Sequence, residues 1–161
     1  DLENSLRRIY NRDYPLVMAL ANNDAPIPNA YRTTFEYILN ADLTRSFLSE
    51  RLNIRQIERI TNELVKWRLS IEDTDHLERL VGETIIRELR RFRQEGENYT
   101  RIERLNRLFP LLFKLNLSPN LYKSQNLYFE ISKANPLQDG HSEDWIREFL
   151  KLGENLRVKI E

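Results

Sequence analysis

The stretch NIRQIERITNELVKW, residues 53–67, decides the fold. Ile57, Ile60, Leu64 and Trp67 recur at alternating spacings of three and four, so they fall on one side of a helix and form a seam that a second helix can bury. Asn53, with Gln56 three residues on, reads as a capping box that starts this helix. The next segment repeats the pattern. Leu77, Leu80, Val81, Ile85, Leu89 and Phe92 share one face, and Gly96 supplies a left-handed stop. Glu72, Asp73 and Asp75 place negative charge near the positive end of that second helix. The two helices are expected to pack antiparallel, seam to seam.

The same spacing extends in both directions. Toward the N-terminus, Leu2, Leu6, Ile9 and Tyr10 form one stripe, and Pro15 suits the first turn of a short second helix through Leu20. A turn over 22–28 leads to a helix opened by Pro28, with Tyr31, Phe35, Ile38 and Leu39 on one side. Asn40 with Asp42 is expected to break that helix before Leu43, Phe47 and Leu48 continue. Toward the C-terminus, Thr100 and Glu103 read as a capping box, and Pro110 as the kink or end of the helix they start. Ser118 and Pro119 open a further helix that runs to Lys133. The stretch from Ala134 to His141 is the least structured by composition, and Ser142 caps a last helix that Gly153 ends. The final residues change period. Leu156, Val158 and Ile160 alternate with Arg157, Lys159 and Glu161, which predicts a short C-terminal strand in need of a partner. The class is therefore all-α: one compact domain over residues 1–161, a bundle of about seven to nine helices with that strand at its end.

Composition narrows the function by exclusion. The 25 basic and 25 acidic residues balance, so no overall field draws a phosphate backbone or anionic lipid, and neither nucleic acid nor membrane is an expected partner. With no cysteine, disulfides and thiolate chemistry are excluded, and the cytoplasm is the expected compartment. No apolar run approaches the roughly 20 residues that span a bilayer. The opening residues already run at helical spacing and the single methionine is Met18, so the chain is expected to be a domain excised from the C-terminal part of a larger protein.

The residues that carry chemistry are few. His76 and His141 have no second His, Cys or carboxylate at a local ligand spacing, so no metal is expected. Gly82, Gly96, Gly140 and Gly153 are too scattered to cradle a phosphate, and no cofactor is expected. Asp73 and Asp75 have the spacing of a candidate carboxylate pair, but at a helix start they are better read as capping groups. Arginine outnumbers lysine 19 to 6, and Arg87, Arg90, Arg91 and Arg93 with Arg101, Arg104 and Arg107 suggest an anion patch. Interleaved glutamates make a solvated, ion-paired face the better reading. Trp67 and Trp145 sit on apolar stripes and read as core. One helix resists this account: Gln125 interrupts the stripe Leu121–Tyr128, and Asn126 interrupts the stripe Tyr122–Phe129. A buried amide needs partners, which a neighbouring loop or another domain would supply. Gln125 and Asn126, with Leu156, Val158 and Ile160 of the strand, are therefore the candidate inter-domain contacts.

The strings Asp13-Tyr14-Pro15, Phe35 through Leu43, Gln125-Asn126-Leu127-Tyr128 and Leu152-Gly153 resemble the helical C-terminal domain of unknown function of large bacterial proteins that carry a family-57 glycoside-hydrolase-like domain upstream. Such proteins are described as α-amylase or α-mannosidase related. The similarity spans nearly the whole chain. It implies an accessory domain partnered by an upstream catalytic domain of the same chain, and through it by polysaccharide. No catalytic residue carries over, because the catalytic carboxylates of that family belong to the upstream barrel. The expected function is a non-catalytic accessory domain in polysaccharide metabolism; the alternative is a free-standing helical protein interaction module.

Overall fold

In the computed structural model, which describes residues 1–134 and 140–158, the described residues form seven α-helices and no strand. No helix among them is long and apolar enough to cross a membrane. The chain divides into two compact units, Asp1–Thr74 and Asp75–Glu161.

The first unit holds α1 (Leu2–Asn22), α2 (Asn29–Leu48) and α3 (Ile54–Lys66). α2 packs on both α1 and α3, and its Phe35, Ile38, Leu39 and Leu43 are buried. Tyr10 and Val17 of α1 and Ile57, Ile60 and Leu64 of α3 complete the core. Asp1 caps α1 by accepting from the Asn4 amide, and Asn53 caps α3 by accepting from the Gln56 amide at 3.1 Å. The seam of α3 is buried as its spacing requires, but its partner differs from the expected one. The Trp67 ring meets Phe35 of α2 at 5.1 Å and Tyr14 of α1 at 6.0 Å, so helices earlier in the chain cover it.

Two expected breaks in this unit do not occur. α1 runs unbroken through Pro15, although a proline inside a helix removes a backbone bond at a cost of about 3 kcal/mol. Tyr10 and Tyr14 before the proline, and Val17 just after it, are held in the unit on one continuous helix, and that packing offsets the loss. α2 likewise continues through Asn40. Its side-chain amide donates to the carbonyls of Glu36 and Ser70, both at 2.8 Å, and its oxygen accepts from the Glu72 amide at 3.0 Å. The amide therefore ties the 69–72 segment to α2 while it also bonds back to the preceding turn of its own helix.

The second unit holds α4 (Thr74–Gln94), α5 (Tyr99–Lys114), α6 (Tyr122–Ala134) and α7 (Glu143–Asn155). Val81, Ile85, Leu89, Leu108, Tyr128 and Phe149 form its buried centre. α5 starts two residues earlier than expected, at a cap made by Asn98 in place of Thr100, and it passes unbroken through Pro110 because Leu111 and Leu112 are buried beyond it. α6 starts at Tyr122, later than expected, where Asn120 accepts from the Tyr122 amide. Ser142 caps α7 as expected.

The C-terminal strand is a correction. α7 extends to Asn155, Leu156 is its C-cap, and Arg157 follows in the left-handed region at φ 61. The Val158 amide donates to the Gly153 carbonyl at 2.8 Å and the Arg157 amide to Glu154 at 3.0 Å, the paired bonds of a Schellman helix end. The alternation of Leu156 and Val158 thus belongs to a helix cap. Leu156 is buried and Val158 half-buried, while Ile160 lies outside the described residues. Gly153 is also reassigned: it sits inside α7, and the part of the loop at 135–139 lies outside the described residues.

The same paired closure ends α1 at Asp24, α3 at Arg68 and α5 at Asn116, each with positive φ, and α4 ends at Gly96, φ 79, with the Glu97 amide returning to the Phe92 carbonyl. A β-carbon is disfavoured in that conformation. Arg68→Gly should therefore raise stability, by up to about 1 kcal/mol after the extra freedom of glycine in the unfolded chain is discounted. Urea unfolding checks this; a lower midpoint in the variant would show that the Arg68 side chain itself holds the helix end.

Candidate functional site

In the first unit two tyrosine hydroxyls of α1 meet at Glu63 of α3. Its carboxylate, 8% exposed, accepts from the Tyr10 and Tyr14 hydroxyls, each at 2.8 Å, and so fastens α1 to α3. Burial, with Glu63 as acceptor, pushes the Tyr14 hydroxyl up to about 12. The same causes push Tyr10 further in the same direction. The Trp67 indole N–H beside them is buried and has no acceptor among the described residues. Nearer the start of α1, Arg7 bridges Glu3 and Asp42, and Arg45 pairs with both acids. The guanidinium of Arg45, and then that of Arg7, hold the Glu3 carboxyl below its ordinary value.

In the second unit the buried charge is Glu88, 1% exposed, which receives Arg101 at 2.6 Å, with Arg91 at 3.5 Å and Arg87 at 3.6 Å. Arg101 also reaches Glu95, and Arg93 reaches Glu130. Four of the arginines read as a patch are therefore engaged with acids. Asn106, also 1% exposed, donates to the carbonyl and carboxylate of Glu148 and accepts from Asn155, which locks α5 to α7. Tyr128 donates to the Phe149 carbonyl at 2.7 Å, and burial pushes its hydroxyl up. A β-carbon at position 153 would stand 2.6 Å from that hydroxyl, so Gly153 is the residue that lets α6 and α7 approach. His141, Trp145, Phe149 and Tyr128 stack in sequence, with centroids 3.7, 4.8 and 4.6 Å apart.

The candidate inter-domain residues separate on inspection. Gln125 is half-buried and donates to the Leu156 carbonyl at 2.8 Å, so a cap within the same unit supplies its partner. Asn126 is exposed, in a row with Tyr122 and Phe129, which are 68% and 45% exposed; only one of the two stripes of α6 faces the core. Trp67 and Trp145 are core residues, and the Trp145 indole donates to the Glu97 carbonyl. Among the described residues, no three His, Cys, Asp or Glu side chains group as metal ligands.

What sequence reasoning missed is a half-open groove of about 510 Å³ in the second unit. One wall is the side of α4 that carries Asp75, Glu78, Arg79, Glu83 and Ile86. The other is formed by Ser118 and Asn120 of the α5–α6 connection and by Tyr122, Lys123 and Ser124 at the start of α6. Gly82 lies at the join: a β-carbon there would stand 3.2 Å from the Asn120 carbonyl, so the glycine lets the connection close on α4. The available signal was the polar row at 75, 78, 79 and 83 around a mid-helix glycine, of which Asp75 read only as capping charge and Glu83 only as one of the glutamates interleaved with arginines. Asp75 is in the first turn of α4, as the capping reading requires, yet it also lines this groove. Comparison with protein-family models, with curated proteins and with solved structures yields no match for the chain.

Two measurements probe these sites. Because Tyr14 has its folded value raised to about 12 from an unfolded value near 10, its contribution to stability is complete below pH 10 and is lost as pH rises toward 12. Denaturant midpoints should therefore fall across that window, and the fall should shrink in Tyr14→Phe; a profile identical in both proteins would remove the buried Tyr14 hydroxyl as a cause. In the second unit, Gly153→Ala should cost about 1–3 kcal/mol through overpacking against Tyr128. Adding Tyr128→Phe should recover part of that loss in urea unfolding, and no recovery would place the clash elsewhere.

Proposed function

We propose that this chain is a non-catalytic accessory helical domain of a glycoside-hydrolase-like, α-amylase or α-mannosidase related protein in polysaccharide metabolism, partnered by an upstream catalytic domain of the same chain. The observation that carries this reading is the disposition of the carboxylates. The buried ones are committed to the fold: Glu63 accepts from two tyrosines and Glu88 from arginine. Those that line the groove, Asp75, Glu78 and Glu83, all belong to one helix wall. A glycosidase instead sets two carboxyls on opposite sides of the scissile bond, about 5 to 9 Å apart, with the acid kept protonated by its surroundings. Asp75 and Glu83 are exposed on that wall. A binding or docking role suits this arrangement better than hydrolysis.

The exposed row Tyr122, Asn126 and Phe129 on α6 favours a second reading, a free-standing helical interaction module, since aromatic side chains are the usual anchors of protein interfaces. A catalytic domain in the same reading frame supports the first reading, and its absence supports the second. The purified chain, incubated with amylose and with aryl α-glucosides, should show no turnover above a heat-killed control. Turnover abolished by Glu78→Gln or Glu83→Gln would overturn the accessory role.

A further inference from the structure

We propose that the groove between α4 and the start of α6 is a binding subsite for a neutral oligosaccharide, a few sugar rings of a polysaccharide chain; this rests on the accessory reading and gives it a ligand class. The volume of about 510 Å³ fits, because small-molecule sites span about 300–1,000 Å³. The lining selects the chemistry. Three carboxylates and two cations, Arg79 and Lys123, share the lining, so an anion meets Asp75, Glu78 and Glu83 while an amine meets the cations. Neither ion is matched, whereas an uncharged polyol suffers from neither.

The charged side chains are also uncommitted. Asp75 with Arg79, and Arg79 with Glu83, stand at the helical spacing that favours ion pairs, yet none of these groups, nor Glu78 or Lys123, pairs with another described residue. Carboxylates, a guanidinium fork and the Asn120 amide present paired donors and acceptors to vicinal hydroxyls. Ser124 is buried yet lines the groove, and its hydroxyl has no partner among the described residues. Tyr122 supplies what a purely polar cleft lacks. Its ring is 68% exposed and offers an apolar face with a hydroxyl at one end, suited to the C–H face of a sugar ring. Ile86 adds apolar surface on the opposite wall.

The test is a titration of the isotope-labelled chain with maltohexaose and with cellohexaose, followed by NMR, with inorganic phosphate as the ionic control. At least one sugar should shift the amides of residues 118–124 and of Gly82, with a dissociation constant on the order of 1 mM. Tyr122→Ala and Glu83→Gln should each weaken binding about tenfold, with urea midpoints unchanged. No groove shift with either sugar at about 20 mM, well above that constant, overturns the subsite. So does binding that both variants leave intact, or an equal response to phosphate. These failures leave the accessory reading standing. Hydrolysis of the sugar during the titration would instead overturn the accessory reading, whatever the groove binds.

Discussion

A helix that ends beside packed neighbours must satisfy its own last carbonyls, and this constraint shapes much of the chain. Five of the seven helices among the described residues meet it in one way, with a left-handed residue followed by an amide that bonds back into the last turn. Asp24, Arg68, Gly96, Asn116 and Arg157 hold those positions. Each closure also aims the chain that follows. After Asn116, the Leu117 amide returns to the Leu112 carbonyl and its side chain is buried, which fixes the departure of the α5–α6 connection. That connection then lies against Gly82 and forms one wall of the groove. A local hydrogen-bond requirement thereby positions a candidate binding site.

Each unit also contains a buried carboxylate that joins two of its helices. Glu63 ties α3 to α1 through two tyrosine hydroxyls, and Glu88 ties α4 to α5 through Arg101. Burying a carboxylate is costly unless it is well paired, and removal of one partner leaves the full penalty. Such pairings therefore constrain helix register more sharply than apolar contacts do, since a Leu slides against a Leu with little loss. The approach of α6 to α7 is set differently. The Tyr128 ring needs the space that Gly153 leaves open, and its hydroxyl needs the Phe149 carbonyl, so a missing side chain and a hydrogen bond define one geometry. Gln125 repeats that bond to the same helix at Leu156, and together they place the α6 start that bears Tyr122.

The sequence by itself determined the helical class, the buried faces and several boundaries: the seam Ile57–Ile60–Leu64–Trp67 is core, Asn53 and Ser142 are caps, and Gly96 is a left-handed stop. These features depend on period and on hydrogen bonds that span a few residues, so they are written locally. Only the tertiary structure decided that α1 passes through Pro15 and α5 through Pro110, because a cost of about 3 kcal/mol at one proline is outweighed by side chains buried on both sides of it. It also decided that α2 and α1 cover the Trp67 seam, and that Leu156 and Val158 close a helix. An alternation of so few residues fits either a strand or a cap, and the anchoring of α7 by buried Phe149 and Leu152 selects the cap. The groove was illegible for the same reason. Asp75, Glu78 and Glu83 are ordinary surface acids until a loop some 40 residues later closes against Gly82, and loop closure is a property of the packed chain.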